Sequence, residues 1–326
     1  MVREQRKTFL KQLAGLALAA CALGAGAQQD YPNKPVRLVL SFAPGGAADA
    51  IGRTIATKLT ERWKQQVVVD NRPGGNTVIA ALETIRQKPD GYTLMLALDN
   101  TLVMNQHLFR SPKYDPLKDF TLIGGVAEFP LFLMTRTDSG IQSAQDYLAR
   151  ARAEGGQLKV GTAAILTTIA TDVLNQPAGV QTTPLQYKGT ADNTLGLLRG
   201  DLDFIVDVDA TAGPHVKAGK IRILAVSGPN RVPTYPDVPT YKEVLQKDVS
   251  MIAWHGLVAP AGMDPALAAR INADFTWAVQ QPDVKAILLE KSLFPAPSSG
   301  EALRARVEAD ARKYGEIIRR LNLQIE

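Results

Sequence analysis

Blocks of apolar residues alternate along this chain with segments in which apolar residues recur at helical spacing. The first apolar block covers residues 36–42 and indicates a buried parallel strand, because apolar side chains occupy almost every position. A Pro-Gly-Gly turn at residues 44–46 interrupts this block, and residues 51–59 then show helical spacing. Strand-like and helix-like segments continue to alternate, which predicts an α/β fold built mainly on parallel sheets.

The predicted elements form two successive series of strands and helices. The predicted strands lie at residues 36–42, 66–69, 92–98, 120–126, 158–160, 183–187, 203–206, 221–226 and 252–258. The predicted helices lie after residue 46 and at residues 77–87, 144–153, 165–174, 192–198 and 303–321. The polar, proline-rich stretch at residues 228–240 separates the last two strands and predicts a loop.

The turn at residues 43–49 carries the chemistry that most constrains function. A strand that leads through glycines into a helix leaves backbone N–H groups free at the positive end of the helix dipole, and such groups bind anions. Gly45 and Gly46 allow a ligand to approach the backbone closely. The plainer alternative is an ordinary turn in which Asp49 stabilises the first helical turn. Asp49 can otherwise orient a water or the far end of a ligand, because it would repel an adjacent carboxylate.

Residues 1–27 indicate a targeting segment rather than part of the fold. Four basic residues precede an apolar stretch that is too short to span a bilayer, and small residues end the segment. The mature chain is therefore expected to begin at Gln28 and to be released in soluble form after export. Two alternatives stay open: a twin-arginine export signal with Lys7 in place of the second arginine, and lipid attachment at Cys21.

Removal of residues 1–27 changes the charge of the chain. The segment carries four basic residues and one acidic residue, so the formal net charge falls from +5 to +2. No cluster of Lys and Arg interleaved with aromatic residues follows, and nucleic acid is therefore not an expected partner. Residues 28–326 are enough for two domains or for one large one.

Enzyme and metal motifs are missing from the sequence. The histidines His107, His215 and His255 lie far apart and lack the spacing of metal ligands. The sequence contains no G-x-S-x-G, H-E-x-x-H or G-x-G-x-x-G pattern. Its one cysteine, Cys21, lies in the segment expected to be removed. We therefore predict a binding protein without catalytic residues, metal or cofactor.

A series of short motifs follows one order along the chain. They are YPNKP at residues 31–35, FAPGGAAD at 42–49, NRPGG at 71–75, PDGYTL at 89–94, YKG at 187–189, GKIR at 219–222 and PDVPT at 236–240. Together they resemble the substrate-binding proteins of tripartite tricarboxylate transporters, the TctC or Bug family, over nearly all of the mature chain. The resemblance implies a type II periplasmic-binding-protein fold, in which two α/β lobes joined by two crossing strands close on a ligand in the cleft between them.

This fold implies a discontinuous first lobe. Crossings near residues 129–136 and 252–259 assign residues 28–128 plus 255–326 to lobe 1 and residues 129–254 to lobe 2. The resemblance further implies an exported solute receptor, expected as a monomer, that binds a small carboxylate and delivers it to membrane transporter subunits. Two alternatives remain: an enzyme acting on a small anionic substrate, and a ligand sensor that feeds a signalling protein.

The resemblance also implies that loops from both lobes hold the carboxylate, largely through backbone N–H groups. The loop at residues 161–168 repeats the strand–loop–helix pattern of the first lobe, with threonine hydroxyls able to donate. It departs from the family because Ala164 and Leu166 stand where glycines are usual, so Leu166 is expected to narrow the pocket or give it an apolar wall. Asn76 and Thr77 likewise follow NRPGG where the family has more glycine, and we interpret that loop as a packing turn.

Further candidates lie where other predicted strands end. Asn100 or Thr101 can bond the ligand or cap the next helix. Tyr187 is favoured over Lys188, which is expected to be solvated. Asp207 can receive an amino or hydroxyl group of the ligand or cap a helix. The predicted ligand-binding residues are Phe42, Ala43, Gly45, Gly46, Ala47, Asp49, Asn100, Thr101, Thr162, Ala163, Ala164, Thr167, Tyr187, Gly189, Thr190 and Asp207.

Overall fold

The computed structural model of the chain describes residues 31–45, 47–187 and 189–325. The predicted signal peptide with Cys21, and the loop residues Gly46 and Lys188, lie outside the described residues. Within the described ranges, each helix is too short or too polar to cross a lipid bilayer.

Strands and helices alternate over most of this part of the chain, as the hydrophobic pattern predicts. In chain order the strands are β1 (Val36–Leu40), β2 (Val67–Asn71), β3 (Thr93–Leu98), β4 (Phe120–Pro130), β5 (Phe132–Arg136), β6 (Lys159–Thr162), β7 (Thr183–Gln186), β8 (Phe204–Asp207), β9 (Ile221–Val226), β10 (Ile252–Pro260) and β11 (Phe294–Pro295). The helices are α1 (Ala47–Trp63), α2 (Val78–Ile85), α3 (Asn105–Leu108), α4 (Ala144–Ala153), α5 (Ile165–Ala178), α6 (Thr190–Arg199), α7 (Asp209–Lys217), α8 (Tyr241–Leu245), α9 (Pro265–Gln280), α10 (Pro282–Glu290) and α11 (Gly300–Arg320). Each predicted strand overlaps an observed one, whereas α3 and α7 to α10 were not predicted.

The first sheet combines strands from both halves of the chain, in the order β11-β4-β10-β3-β1-β2. β1 pairs in parallel with β2 and β3, and β10 runs antiparallel to β3 and β4. Every residue of β3 is buried, which explains its continuous apolar run. Ile51, Ile55 and Leu59 are also fully buried, so the helical spacing correctly predicts the face of α1 that packs inward.

The second sheet has the order β7-β6-β8-β5-β9. β6 pairs in parallel with β7 and β8, while β5 runs antiparallel to β8 and β9. A separate apolar cluster around Phe132 and Ile205 lies within this sheet and its helices. Other apolar residues of this sheet, including Leu133, Val160 and Phe204, belong to the large cluster that also contains the first sheet.

The chain passes between the two sheets at two adjacent places. β4 ends at Pro130 in the first sheet and β5 begins at Phe132 in the second, and β10 later brings the chain back. Ser227 joins the two crossings, because its Oγ accepts the Leu131 amide at 2.9 Å and donates to the Met251 carbonyl at 2.7 Å. The predicted architecture of two α/β lobes joined by two crossing segments is confirmed.

Candidate functional site

The strand order places a crevice at the same point of each sheet. In the first sheet β1 lies between β2 and β3, so successive connections leave β1 and β2 in opposite directions. Right-handed crossovers then place α1 and α2 on opposite faces, and a crevice opens outside the carboxyl ends of β1 and β3. The second sheet repeats this order, with β6 between β7 and β8. The turns after these strands form the candidate site.

Asp49 organises the turn after β1. Its carboxylate accepts hydrogen bonds from the Gly45 amide at 3.0 Å, from Arg53 Nε at 2.9 and 3.0 Å, and from Asn71 Nδ2 at 3.2 Å. Burial raises the pKa of Asp49, but the bonds from Arg53, Gly45 and Asn71 outweigh this effect and hold the pKa below its ordinary value. The ionised carboxylate therefore holds the turn against the start of α1.

The other residues of this turn that were predicted to contact the ligand are more exposed than Asp49. Ala43 and Gly45 are exposed and Phe42 is half-buried. Gly45 has a φ of +95°, which favours glycine, and a Cβ there would meet no other atom within 4 Å. α1 begins at Ala47, and the N–H groups of a first helical turn have no acceptor within the helix. These N–H groups are what the first lobe offers to an anion.

The side chains that follow β3 belong to a buried polar network. Asn100 and Thr101 are each 1% exposed and lie in a π-helical turn. Asn100 Nδ2 donates to Asn76 Oδ1 at 3.0 Å. Thr101 Oγ1 donates to Thr77 Oγ1 at 2.9 Å. Asp99, rather than Asn100, caps the turn, because its carboxylate accepts the Asn100 amide at 2.8 Å.

The residues before α2 have an unusual backbone. Asn76 and Thr77 have φ values of +49° and +76°, and a β-branched residue such as Thr77 rarely adopts such values. Asn105 holds both of them, because its Nδ2 donates to the Asn76 carbonyl at 2.9 Å and to Thr77 Oγ1 at 3.2 Å. The loop after β2 is thereby tied to the segment after β3. Asn105 was not predicted as a site residue, because its contacts depend on residues distant in the chain.

Thr167 organises the turn after β6 in the second lobe. Its Oγ1 accepts hydrogen bonds from the amides of Ala163 at 2.9 Å and Ala164 at 3.2 Å. These amides, like the Gly45 amide, were predicted as ligand contacts, and in the structure they bond to side chains of their own loop. α5 begins at Ile165. The Thr167 amide donates to the Ala164 carbonyl at 3.1 Å, so the N–H groups that lack an acceptor within the helix are those of Ile165 and Leu166.

The turn after β7 lies beside this second loop. The Tyr187 amide donates to the Thr162 carbonyl at 2.8 Å, and the Thr162 side chain is buried. Gly189 caps α6 and Thr190 begins it, and both are half-buried. The structure therefore brings Thr162, Tyr187, Gly189 and Thr190 to one edge of the second sheet. Leu166, from the neighbouring loop, is 5% exposed and packs in the apolar core.

Asp207 ends β8 with a fully buried carboxyl group. Asn193 Nδ2 donates to its Oδ2 at 2.8 Å, and the Val208 amide donates to its Oδ1 at 2.8 Å. Burial raises the pKa of Asp207 to about 7, although the bonds from Asn193 and Val208 act in the opposite direction. Both carboxyl oxygens therefore have partners inside the lobe.

The partners of the two site carboxyl groups, Asp49 and Asp207, were not predicted either. Arg53 follows Asp49 by four residues on α1, and this spacing is a signal that identifies the pair. No comparable spacing identifies Asn71 and Asn193, because they lie close to their partners only in the folded chain. Among the described residues, no group of His, Cys, Asp and Glu is placed to hold a metal ion.

Two lobes of this topology, joined by two crossing segments, define the class of type II periplasmic-binding proteins. A family model described as "Tripartite tricarboxylate transporter family receptor" matches residues 51–323. The chain belongs to this family, TctC, as its motifs predicted.

Relatives and solved structures agree with this assignment. The UPF0065 protein in gbd 5'region of Cupriavidus necator is 32% identical over 332 residues, which cover 98% of each chain. The R. palustris protein Rpa4515, solved with adipate, is 28% identical with a TM-score of 0.83, covering 89% of this chain and 97% of that one. MatC (Rpa3494) from Rhodopseudomonas palustris, solved with bound malate, is 26% identical with a TM-score of 0.79, covering 88% of this chain and all of that one.

Proposed function

We propose that this protein is an exported receptor, with a mature chain from Gln28, that binds a small carboxylate between its lobes and delivers it to a tripartite tricarboxylate-type membrane transporter. Residues 28–128 plus 255–326 form lobe 1 and residues 129–254 form lobe 2 in this proposal. One observation carries it: in each lobe a helix, α1 or α5, begins at the crevice of its sheet. The two similar proteins solved with adipate and with malate support the carboxylate class.

The two helix starts supply the binding energy. α1 has 17 residues and α5 has 14, so each presents the full positive end of a helix dipole to the crevice. A hydrogen bond to a charged group contributes about 1.5–3 kcal/mol. Because the donors come from both lobes, the ligand stabilises the arrangement in which the lobes are closed. Asp49 and Thr167 act by holding the two turns. The predicted residues that are exposed or half-buried remain the proposed contacts: Phe42, Ala43, Gly45, Ala163, Ala164, Tyr187, Gly189 and Thr190.

Thermal unfolding of the processed protein with adipate and with malate tests the proposal. A ligand at one hundred times its Kd raises the free energy of unfolding by about 2.7 kcal/mol. Gly45→Phe is expected to abolish this stabilisation. Gly262→Phe is the matched control, because Gly45 and Gly262 have φ of +95° and +88° and open space around an added Cβ, but Gly262 follows the far end of β10.

Three results would contradict the proposal. If the Gly45→Phe variant bound the carboxylate with wild-type affinity, the turn after β1 would not be part of the binding site. Failure of adipate, malate and a wider panel of carboxylates to stabilise the protein would reject the carboxylate class. Consumption of a bound acid during incubation, followed by proton NMR, would favour the enzyme alternative, because a receptor leaves its ligand unchanged.

A further inference from the structure

The turn between α10 and β11 contacts the lobe that contains the second sheet. α10 packs against α1, and β11 is a strand of the first sheet, whereas α7 follows β8 of the second sheet. Ser292, in this turn, donates its hydroxyl to Oδ2 of Asp209 at 2.7 Å, and Asp209 begins α7. Ser292 is 1% exposed and Asp209 is 5% exposed. This hydrogen bond is therefore a buried connection between the lobes, separate from the two crossing segments.

Ser292 occupies a backbone position at which helices usually have glycine. The Ser292 amide donates to the Leu289 carbonyl at 3.0 Å as α10 ends. The next amide, of Leu293, donates to the Leu288 carbonyl, also at 3.0 Å. This pair of bonds requires a left-handed residue, and Ser292 has a φ of +54°. Glycine would adopt this φ without the steric cost of a Cβ, but it would lack the hydroxyl that bonds to the other lobe.

The carboxyl group of Asp209 is held in position by its own lobe. Tyr235 donates its hydroxyl to Oδ1 of Asp209 at 2.6 Å. A Cβ at Gly213, one turn further along α7, would come within 2.5 Å of the same oxygen. Glycine inside a helix is less favourable than alanine, and here its missing side chain leaves room for the carboxyl group. Oδ2 is thereby directed to Ser292.

Weaker contacts between the lobes lie beside this bond. Thr234 donates its hydroxyl to the Leu289 carbonyl at 3.2 Å. Lys217 Nζ lies 3.5 Å from Glu290 Oε1, and both side chains are more than half exposed. An exposed ion pair contributes little, because water solvates both charges when the pair separates. A buried carboxyl oxygen that loses its donor has no such replacement, so the bond from Ser292 is the contact whose loss costs most.

We propose that the hydrogen bond between Asp209 and Ser292 is a latch that holds the lobes closed. The inference goes beyond the proposed function, because it applies to any ligand that the cleft encloses. Rotation of the lobes about the crossing segments moves the end of α10 relative to the start of α7, so the bond breaks when the lobes open. The bond therefore favours the closed arrangement independently of the ligand. It also slows release of a ligand, because release requires the lobes to open.

Distances between the lobes of the ligand-free protein test the latch without any assumption about the ligand. Residues 28–326 contain no cysteine, so spin labels can be attached at Glu61→Cys in α1 and at Asp201→Cys after α6, which are exposed positions in different lobes. Double electron–electron resonance gives the distribution of distances between the labels. Ser292→Gly is expected to raise the ratio of open to closed lobes by at least about tenfold. An unchanged distribution would overturn the proposal.

Asn322 provides the matched control for the backbone change. It follows α11 with a φ of +50°, and the amides of Asn322 and Leu323 make the same pair of hydrogen bonds as at the end of α10. Its side chain is exposed, so Asn322→Gly makes the same backbone change without removing a buried bond between the lobes. This variant is expected to keep the wild-type distances. Ser292→Ala should open the lobes as Ser292→Gly does. Opening by the glycine variant alone would mean that backbone freedom is the cause, and the latch would be rejected.

The rate at which adipate dissociates gives an independent test. Stopped-flow measurement on the processed protein should show release at least about tenfold faster from Ser292→Ala and Ser292→Gly than from wild type and Asn322→Gly. Equal rates would mean that the bond persists in the open lobes, as expected of a contact on the rotation axis, and would contradict the latch. Absence of adipate binding would bear on the proposed function alone, and the spin-label distances would still decide the latch.

Discussion

The substitution Asp207→Asn should destabilise the protein at acid pH and stabilise it above neutral pH. The pKa of Asp207 is about 7 in the folded protein, because burial disfavours the charged form, against 3.8 for an ordinary carboxyl group. The folded state therefore binds the proton more tightly than the unfolded state. The stability that comes from this proton is fully present below pH 3.8 and is lost as the pH rises to about 7.

The size of the effect follows from the two pKa values. A difference of about 3 pKa units corresponds to about 4 kcal/mol of unfolding free energy between pH 4 and pH 8. Asparagine carries no charge, but it replaces one of the two acceptor oxygens that Asn193 and Val208 use, which costs about 1 kcal/mol. The variant should therefore be less stable than wild type by about 1 kcal/mol at pH 4 and more stable by about 3 kcal/mol at pH 8.

Urea unfolding at several pH values between 4 and 8, followed by circular dichroism, measures this difference. Subtracting wild type from variant cancels the other titrating groups, including His255, whose pKa burial lowers to about 3. Asp201→Asn, at an exposed position, is the control for a simple loss of charge. A difference that stays constant within about 1 kcal/mol over this range would refute the argument that Asp207 is protonated by burial.

Two further predictions concern the backbone and the crossings. Thr77→Gly should be more stable than Thr77→Ala by about 1–2 kcal/mol in urea unfolding, because only glycine adopts a φ of +76° without strain. If the two variants were equally stable, or the alanine variant were the more stable one, the backbone of Thr77 would not be strained. Ser227→Ala should lower the unfolding free energy by about 1–3 kcal/mol, because the buried Leu131 amide loses its acceptor. A loss no larger than that of the exposed control Ser111→Ala would contradict this.

The hydrophobic pattern predicts most of the fold because each lobe depends on fully buried strands. Strands such as β3 are apolar at nearly every position, so they can be recognised from the sequence without knowing which strands lie beside them. α7 escaped prediction because Gly213 and Pro214 interrupt any helical pattern there. That helix forms nevertheless and buries Ala212 and Gly213. Tertiary packing thus overrides the local preference.

The candidate site was predictable only in part. The strand–turn–helix pattern locates both crevice turns, and the spacing of Asp49 and Arg53 marks an ion pair. Asn71 lies 22 residues from Asp49, and Asn193 lies 14 residues from Asp207. Such contacts depend on the order of strands in each sheet, which no local pattern contains. For the same reason, the sequence could not show that these carboxyl groups are already bonded.

A crystal structure of the processed protein with adipate would show whether the starts of α1 and α5 hold the ligand. We expect one carboxylate of adipate between the lobes, within hydrogen-bond distance of first-turn N–H groups of both helices. Asp49 should remain bonded to Arg53 in that complex. Adipate bound elsewhere, or bound by only one lobe with the other helix start facing bulk water, would contradict the account.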